Sequence, residues 1–153
     1  WGGQMPVIDS AYGIGKAGLD RLGVEFHIAG KSKNIHSVVL YPGLVITEQT
    51  GGHIHASNYQ DMETPLYSGR IMPYLYNNAS SYSGKIAITA ELAKIDDIYD
   101  EYGKQPLSLR SAQSILNRIP LIKYLSWFVQ CDIYIPLLMI QMVGKYGFAM
   151  KYQ

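Results

Sequence analysis

Between residues 11 and 29, apolar side chains return every three or four positions. Gly15, Leu19, Leu22, Phe26 and Ala29 fall on one stripe, the pattern of an amphipathic helix. The stripe stops at Gly30-Lys31-Ser32-Lys33-Asn34, where Gly30 suits a helix C-cap. Gly13, Gly15 and Gly18 each lower helix propensity by about 1 kcal/mol relative to Ala. The expectation is therefore that something packs closely against this helix. Residues 35–41 end in Val38-Val39-Leu40-Tyr41, a strand expected to be buried on both faces and halted by Pro42-Gly43. Helix, short turn and buried strand form half of a βαβ unit, which predicts a parallel sheet. After a long loop, residues 65–76 read as a helix closed by Asn77-Asn78. Residues 85–89 read as a second short strand, and residues 96–101 as a polar, exposed segment. There is no internal repeat and no low-complexity tract.

Composition sharpens this picture. The chain has 153 residues, 48% hydrophobic and only 16% charged, enough to bury a sizeable core and too little charge for a disordered protein. A net charge of +1 argues against broad capture of nucleic acid. The one cysteine, Cys131, excludes an internal disulfide framework and a multi-cysteine zinc site, and points to a reducing compartment. Charge is unevenly placed. Residues 1–109 carry eight Lys+Arg against eleven Asp+Glu, a net of −3, whereas residues 110–153 carry five against one, a net of +4. The second stretch is also far more apolar. Two parts are expected: an α/β body over residues 1–109 and a basic, apolar, helical tail over residues 110–153.

The sharpest chemical feature is Tyr12-Gly13-Ile14-Gly15-Lys16. Residues four apart share a helix face, so the Lys16 ammonium can sit beside the Tyr12 phenol. A free phenol titrates near pH 10 and is a poor acid–base group at neutral pH. A fixed cation nearby favours the phenolate and suits it to exchange a proton with a carbonyl or hydroxyl oxygen. Taken alone, the pair reads equally as two surface residues. Its context is more telling, because the following strand runs into Pro42-Gly43-Leu44-Val45-Ile46-Thr47-Glu48.

In these two segments the chain resembles the short-chain dehydrogenase/reductase family, marked by Tyr-x-x-x-Lys on a helix and Pro-Gly-x-x-x-Thr after the next strand. Ser68-Gly69-Arg70, Ser83-Gly84-Lys85 and the basic apolar end resemble the branch of that family called dehydrogenase/reductase family member one. The resemblance implies a partial Rossmann-like, doubly wound parallel sheet, its carboxyl-terminal half, followed by the apolar tail. It implies Tyr12 as catalytic acid/base, with Lys16 tuning it and holding the nicotinamide ribose. It further implies that Pro42, Gly43 and Val45 border the nicotinamide and that Thr47 bonds near it. NADP is the cofactor so implied, with NAD left open, and the substrate is a small carbonyl compound or alcohol. A homodimer through the first helix and an intracellular protein associated with the endoplasmic reticulum membrane are also implied.

The family's catalytic Ser, phosphate-binding turn and structural Asn lie upstream of its Tyr, and residues 1–11 do not contain them; Ser10 is too close to Tyr12. The chain is therefore expected to be the active-site half of an NAD(P)-dependent oxidoreductase, inactive and prone to aggregate without the amino-terminal half. The competing expectation is a non-catalytic module that docks to a membrane or a partner subunit.

Other features carry less. Gly13-Ile14-Gly15-Lys16-Ala17-Gly18 fits G-x-G-x-x-G by letter, but no good strand precedes it and no acid follows near Val38, so these read as structural glycines. His53 and His55 have no evident third metal ligand. Asp96, Asp97, Asp100 and Glu101 lack the spacing of a calcium loop and read as a solvated face. Cys131 reads as a buried or lipid-facing thiol. In the tail, Lys123, Asp132 and Pro136 interrupt residues 121–150, which fall short of the roughly 18 apolar residues of a spanning helix. Basic flanks with Tyr124, Trp127, Tyr134 and Tyr146 suit a segment lying in one leaflet. Packing of the tail on the body or on a partner subunit is the other reading.

Overall fold

A computed structural model describes residues 10–48, 62–117, 133–136 and 139. Helix α1 spans Ser10–Gly30 and passes through a 3-10 turn, Lys31–Lys33, toward strand β1, Val39–Tyr41. Helix α2, Pro65–Asn77, and the short α3, Ala79–Tyr82, lead to strand β2, Ile86–Ile88. Helix α4, Thr89–Ile95, follows β2 without a loop, and α5 covers Ala112–Asn117. The two strands pair in parallel, Val39 with Ile86, Leu40 with Ala87 and Tyr41 with Ile88. The expected parallel sheet is present, and α2 and α4 fill the crossover side of it.

The core lies between the sheet and these two helices. Tyr67, Ile71 and Leu75 recur at steps of four along α2 and meet Ala87 of β2 with Leu92 and Ala93 of α4. Thr64 starts α2 cleanly. Its hydroxyl accepts from the Tyr67 N–H at 3.2 Å, and Pro65 occupies the first helical position, where a missing N–H does no harm. Helix α4 escapes sequence reading because it is seven residues long, starts straight from a strand and has no capping side chain.

Helix α1 covers the opposite face of the sheet, and here the expectation needs correcting. The stripe it turns inward is not the apolar one. Gly23 and Gly30 are buried and Asp20 and His27 half-buried, whereas Leu19, Leu22 and Phe26 are exposed. The contact is so close that a Cβ on Gly23 would lie 2.2 Å from Val39 Cγ2. A stripe of large side chains could not approach β1 to that distance. Gly15 and Gly18, expected to meet a close neighbour, face open space among the described residues. Gly30 is not the left-handed cap either. The helix unwinds through the 3-10 turn, and Asn34, at φ 54°, makes the left-handed step. Gly30 lacks a side chain because Ile35 folds back on it, with the Ile35 N–H donating to the Gly30 carbonyl at 3.1 Å.

Two further joints hold the sheet. The turn Ser83-Gly84 locks β2 to α1, since Ser83 Oγ lies 2.8 Å from His27 Nδ1 and accepts from the Ser37 N–H at 3.2 Å. Gly84 takes φ +76° with the His27 ring against it, a place no larger residue fits. At the carboxyl-terminal side, Arg110 grips Glu91 at the start of α4 through two bonds of 2.5 Å. The stretch around Arg110 also pairs with residues 133–135, where the Ile135 N–H donates to the Arg110 carbonyl at 2.9 Å. Among the described residues, no helix is long and apolar enough to cross a membrane. Residues 118–132, Cys131 and most of the apolar tail lie outside the described residues.

Candidate functional site

Helix α1 and strand β1 run antiparallel, and two contacts fix their register. Gly23 meets Val39, and one turn earlier in the helix Asp20 accepts a hydrogen bond from the hydroxyl of buried Tyr41. Going back along α1 therefore means going forward along the strand. The same face continues to Lys16 and then Tyr12 at steps of four, alongside the chain that leaves β1 at Pro42. This register is what sets the Tyr12–Lys16 pair and the 42–47 loop at one end of the sheet.

Within the pair, the Lys16 ammonium sits 5.4 Å from the centre of the Tyr12 ring, a cation–π distance. Both side chains are exposed. In the loop, Pro42 and Thr47 are exposed, while Gly43 and Val45 are half-buried. The loop does not stand free. Val45 forms a parallel bridge with Glu63, the Ile46 N–H donating to the Glu63 carbonyl at 2.9 Å and the Glu63 N–H to the Leu44 carbonyl at 2.8 Å. The Glu63 side chain is buried beneath, where Thr89 Oγ lies 2.6 and 2.7 Å from its two oxygens. Burial pushes its carboxyl above the ordinary value, opposed in part by hydrogen bonds from Thr89 and the Gly43 N–H. A Cβ on Gly43 would stand 2.7 Å from Glu63 Oε1, which explains the glycine after Pro42.

This donor set fits the ribose–nicotinamide end of a dinucleotide. An exposed phenol and ammonium share one face, and a glycine-containing loop with an exposed Thr closes the same end of the sheet. The residues that could hold such a group are Tyr12 and Lys16 on the helix and residues 42–47 in the loop.

Sequence reasoning missed three members of this neighbourhood. Asp20 was legible, being four residues beyond Lys16 on the Tyr12 face. Glu63 and Thr89 gave no local signal, because each is defined by a contact across the fold. Ser68, Gly69 and Arg70 lie within α2, and the Arg70 guanidinium donates to the Tyr99 carbonyl at 2.7 Å. The acidic group is partly corrected. Asp96, Asp97 and Glu101 are exposed, but Asp100 is buried and its Oδ1 accepts the N–H groups of Tyr102 and Lys104 at 2.9 and 2.7 Å. It caps a turn, and no metal-binding cluster occurs among the described residues. His53 and His55 fall outside the described residues.

The fold and site together are those of a mixed α/β protein with a parallel sheet and a Tyr–Lys helix beside it. No family model matches the chain. It is similar to a human protein, dehydrogenase/reductase SDR family member 1, at 25% identity over 140 residues, covering 82% of this chain and 45% of the human one. That likeness is to a member of the short-chain dehydrogenase/reductase family. The chain spans less than half the length of the relative it matches.

Proposed function

We infer that this chain is the active-site half of an NAD(P)-dependent short-chain oxidoreductase that interconverts a small carbonyl compound and an alcohol. The observation that supports the reading is the register of α1 against β1, Gly23 on Val39 and Asp20 on Tyr41, with Tyr12 and Lys16 further back on the same helix face and residues 42–47 next along the chain from β1. When bound, an NADP cofactor would supply or accept the hydride. Tyr12 gives its hydroxyl proton to the carbonyl oxygen in reduction and takes it back in oxidation. Lys16 keeps a positive charge beside the Tyr12 ring and would hold the cofactor's ribose hydroxyls. Pro42, Gly43, Val45 and Thr47 would hold the nicotinamide end of that cofactor. The remaining catalytic Ser and the phosphate-binding turn belong to an amino-terminal half. In the assembled enzyme the exposed stripe of α1 meets a second copy, and the basic apolar tail rests on the endoplasmic reticulum membrane surface inside the cell.

The test joins this chain to an amino-terminal half of the same fold and follows NADPH oxidation with a panel of small carbonyl compounds. Tyr12→Phe is expected to abolish turnover, a loss of at least about a hundredfold, with cofactor affinity retained. Retention of most activity removes Tyr12 from the proton-transfer role. The exposed Leu19, Leu22 and Phe26 favour one second reading, a non-catalytic module that docks through α1. Catalysis by the joined protein rejects that reading.

A further inference from the structure

Glu63 is an anomaly if it only serves folding. It is 1% exposed, burial disfavours its charged form, and an apolar residue of similar size would fill the same space without desolvating a carboxylate. What an apolar residue could not do is accept hydrogen bonds beneath the loop after β1 with its side chain. The Glu63 backbone pairs with that loop on both sides of Val45. Its carboxyl turns beneath the same stretch, accepting from the Gly43 N–H and from Thr89 Oγ. Thr89 Oγ in turn lies 3.5 Å from the carbonyl of Tyr41, the last residue of β1. One residue thus grips the chain from Tyr41 to Ile46 through backbone and side chain at once. It also reaches the end of β2, because Thr89 follows Ile88 directly.

We propose that Glu63 is a positioning residue for the nicotinamide cofactor: through Gly43 and Thr89 it fixes the shape of residues 42–47 before the cofactor arrives. The proposal rests on the reading of that loop given under the proposed function. Its physical sense is preorganisation. A loop already held in its binding shape loses less conformational freedom on binding, so the same contacts give tighter association. The carboxyl supplies an acceptor for the Gly43 N–H in the half-buried turn. Gly43 is required because the acceptor oxygen occupies the space a side chain would take. Glu63 itself touches no substrate in this scheme and acts only through the loop.

The test is hydrogen–deuterium exchange of the full 153-residue chain, read by mass spectrometry on peptides covering residues 41–48, 65–77 and 89–95. Glu63→Leu removes the acceptor with similar volume. Exchange in the 41–48 peptide is expected to accelerate at least about tenfold while the two helical peptides hold. Glu63→Gln, which keeps an acceptor, is expected to restore slow exchange. Thr89→Val removes the hydroxyl with shape kept, and is expected to give an intermediate acceleration even where Glu63→Leu does not fold. Reduced nicotinamide mononucleotide is then added as probe. Protection of the 41–48 peptide is expected in the parent chain and in Glu63→Gln, and a weakening of at least about fivefold in probe affinity in Glu63→Leu or Thr89→Val. Unchanged exchange in Glu63→Leu and Thr89→Val overturns the bracing role, as does probe affinity equal to the parent's. No protection of the parent chain by the probe overturns the reading of the loop, and the proposal falls with it.

Discussion

The glycines of α1 give a prediction in which the sign of the effect differs from one position to the next. Replacing any helical Gly by Ala gains about 1 kcal/mol of propensity. At Gly15 and Gly18 the new methyl meets nothing among the described residues, so Gly15→Ala and Gly18→Ala are each expected to stabilise by about that amount. At Gly23 the methyl would lie 2.2 Å from Val39 Cγ2 and must push α1 off β1 or turn Val39 from its rotamer. Overpacking of this kind costs about 1–3 kcal/mol, which outweighs the propensity gain and leaves a net loss of up to about 2 kcal/mol. Val39→Ala in the same chain removes the obstructing methyl. The Gly23→Ala/Val39→Ala double variant is thus expected to be less destabilised than the sum of the singles. Urea titration followed by circular dichroism reads the five variants against the parent. At this chain length each kcal/mol also moves a melting midpoint by about 2–4 °C. A Gly15→Ala loss greater than that of Gly23→Ala refutes the assignment of the inward face. A loss at Gly15 or Gly18 that grows with protein concentration instead places a second copy on that stripe.

Two more expectations follow from the buried groups. The Glu63 carboxyl is raised above 4.5 in the folded protein by burial, so between the unfolded and folded values the native state binds the extra proton. Stability from this group is present below the unfolded value and is lost as pH rises through the folded one; Glu63→Gln should flatten that decline, and urea midpoints of both proteins from pH 4 to 8 check it. A parent chain that gains stability over Glu63→Gln as pH rises through that range contradicts the sign. The Arg110–Glu91 fork ties residues 108–111 to the start of α4, so Glu91→Gln is expected to cost about 2 kcal/mol and to speed hydrogen exchange around Arg110. Equal exchange there in both proteins would show that the pairing with residues 133–135 suffices to hold the stretch.

How much of this was legible in the sequence depends on whether a feature is local. Helix α1, strand β1, helix α2 and strand β2 were all visible as periodicity bounded by Gly, Pro and Asn, and the parallel pairing followed from their order. The Tyr12–Lys16 proximity was visible too, because helix geometry alone supplies it. What was not legible was which face of α1 turns inward. Hydrophobicity pointed to Leu19, Leu22 and Phe26, yet close approach selected the small and polar stripe of Asp20, Gly23, His27 and Gly30. A helix whose apolar stripe is spare and whose glycine stripe is used defeats a pattern that equates apolar with buried. Asp100 was misread for a related reason: a carboxylate can be buried cheaply where two backbone N–H groups meet it.

The candidate site has two separate anchors, and they constrain different halves of it. Asp20 and Gly23 hold the helix to β1 and so decide where Tyr12 and Lys16 stand relative to the sheet. Glu63 and Thr89 hold the loop to β2 and decide the shape of residues 42–47 without touching α1. Tyr41 is the point where the two meet, since its hydroxyl bonds Asp20 and its carbonyl faces Thr89 Oγ. Loosening the helix anchor should therefore displace Tyr12 and Lys16 while leaving the loop intact. Loosening the loop anchor should do the reverse. Under the proposed function, the first kind of change acts on the chemical step, where geometry between phenol and carbonyl oxygen is demanding. The second acts on cofactor binding. A site built with one shared anchor could not separate the two effects.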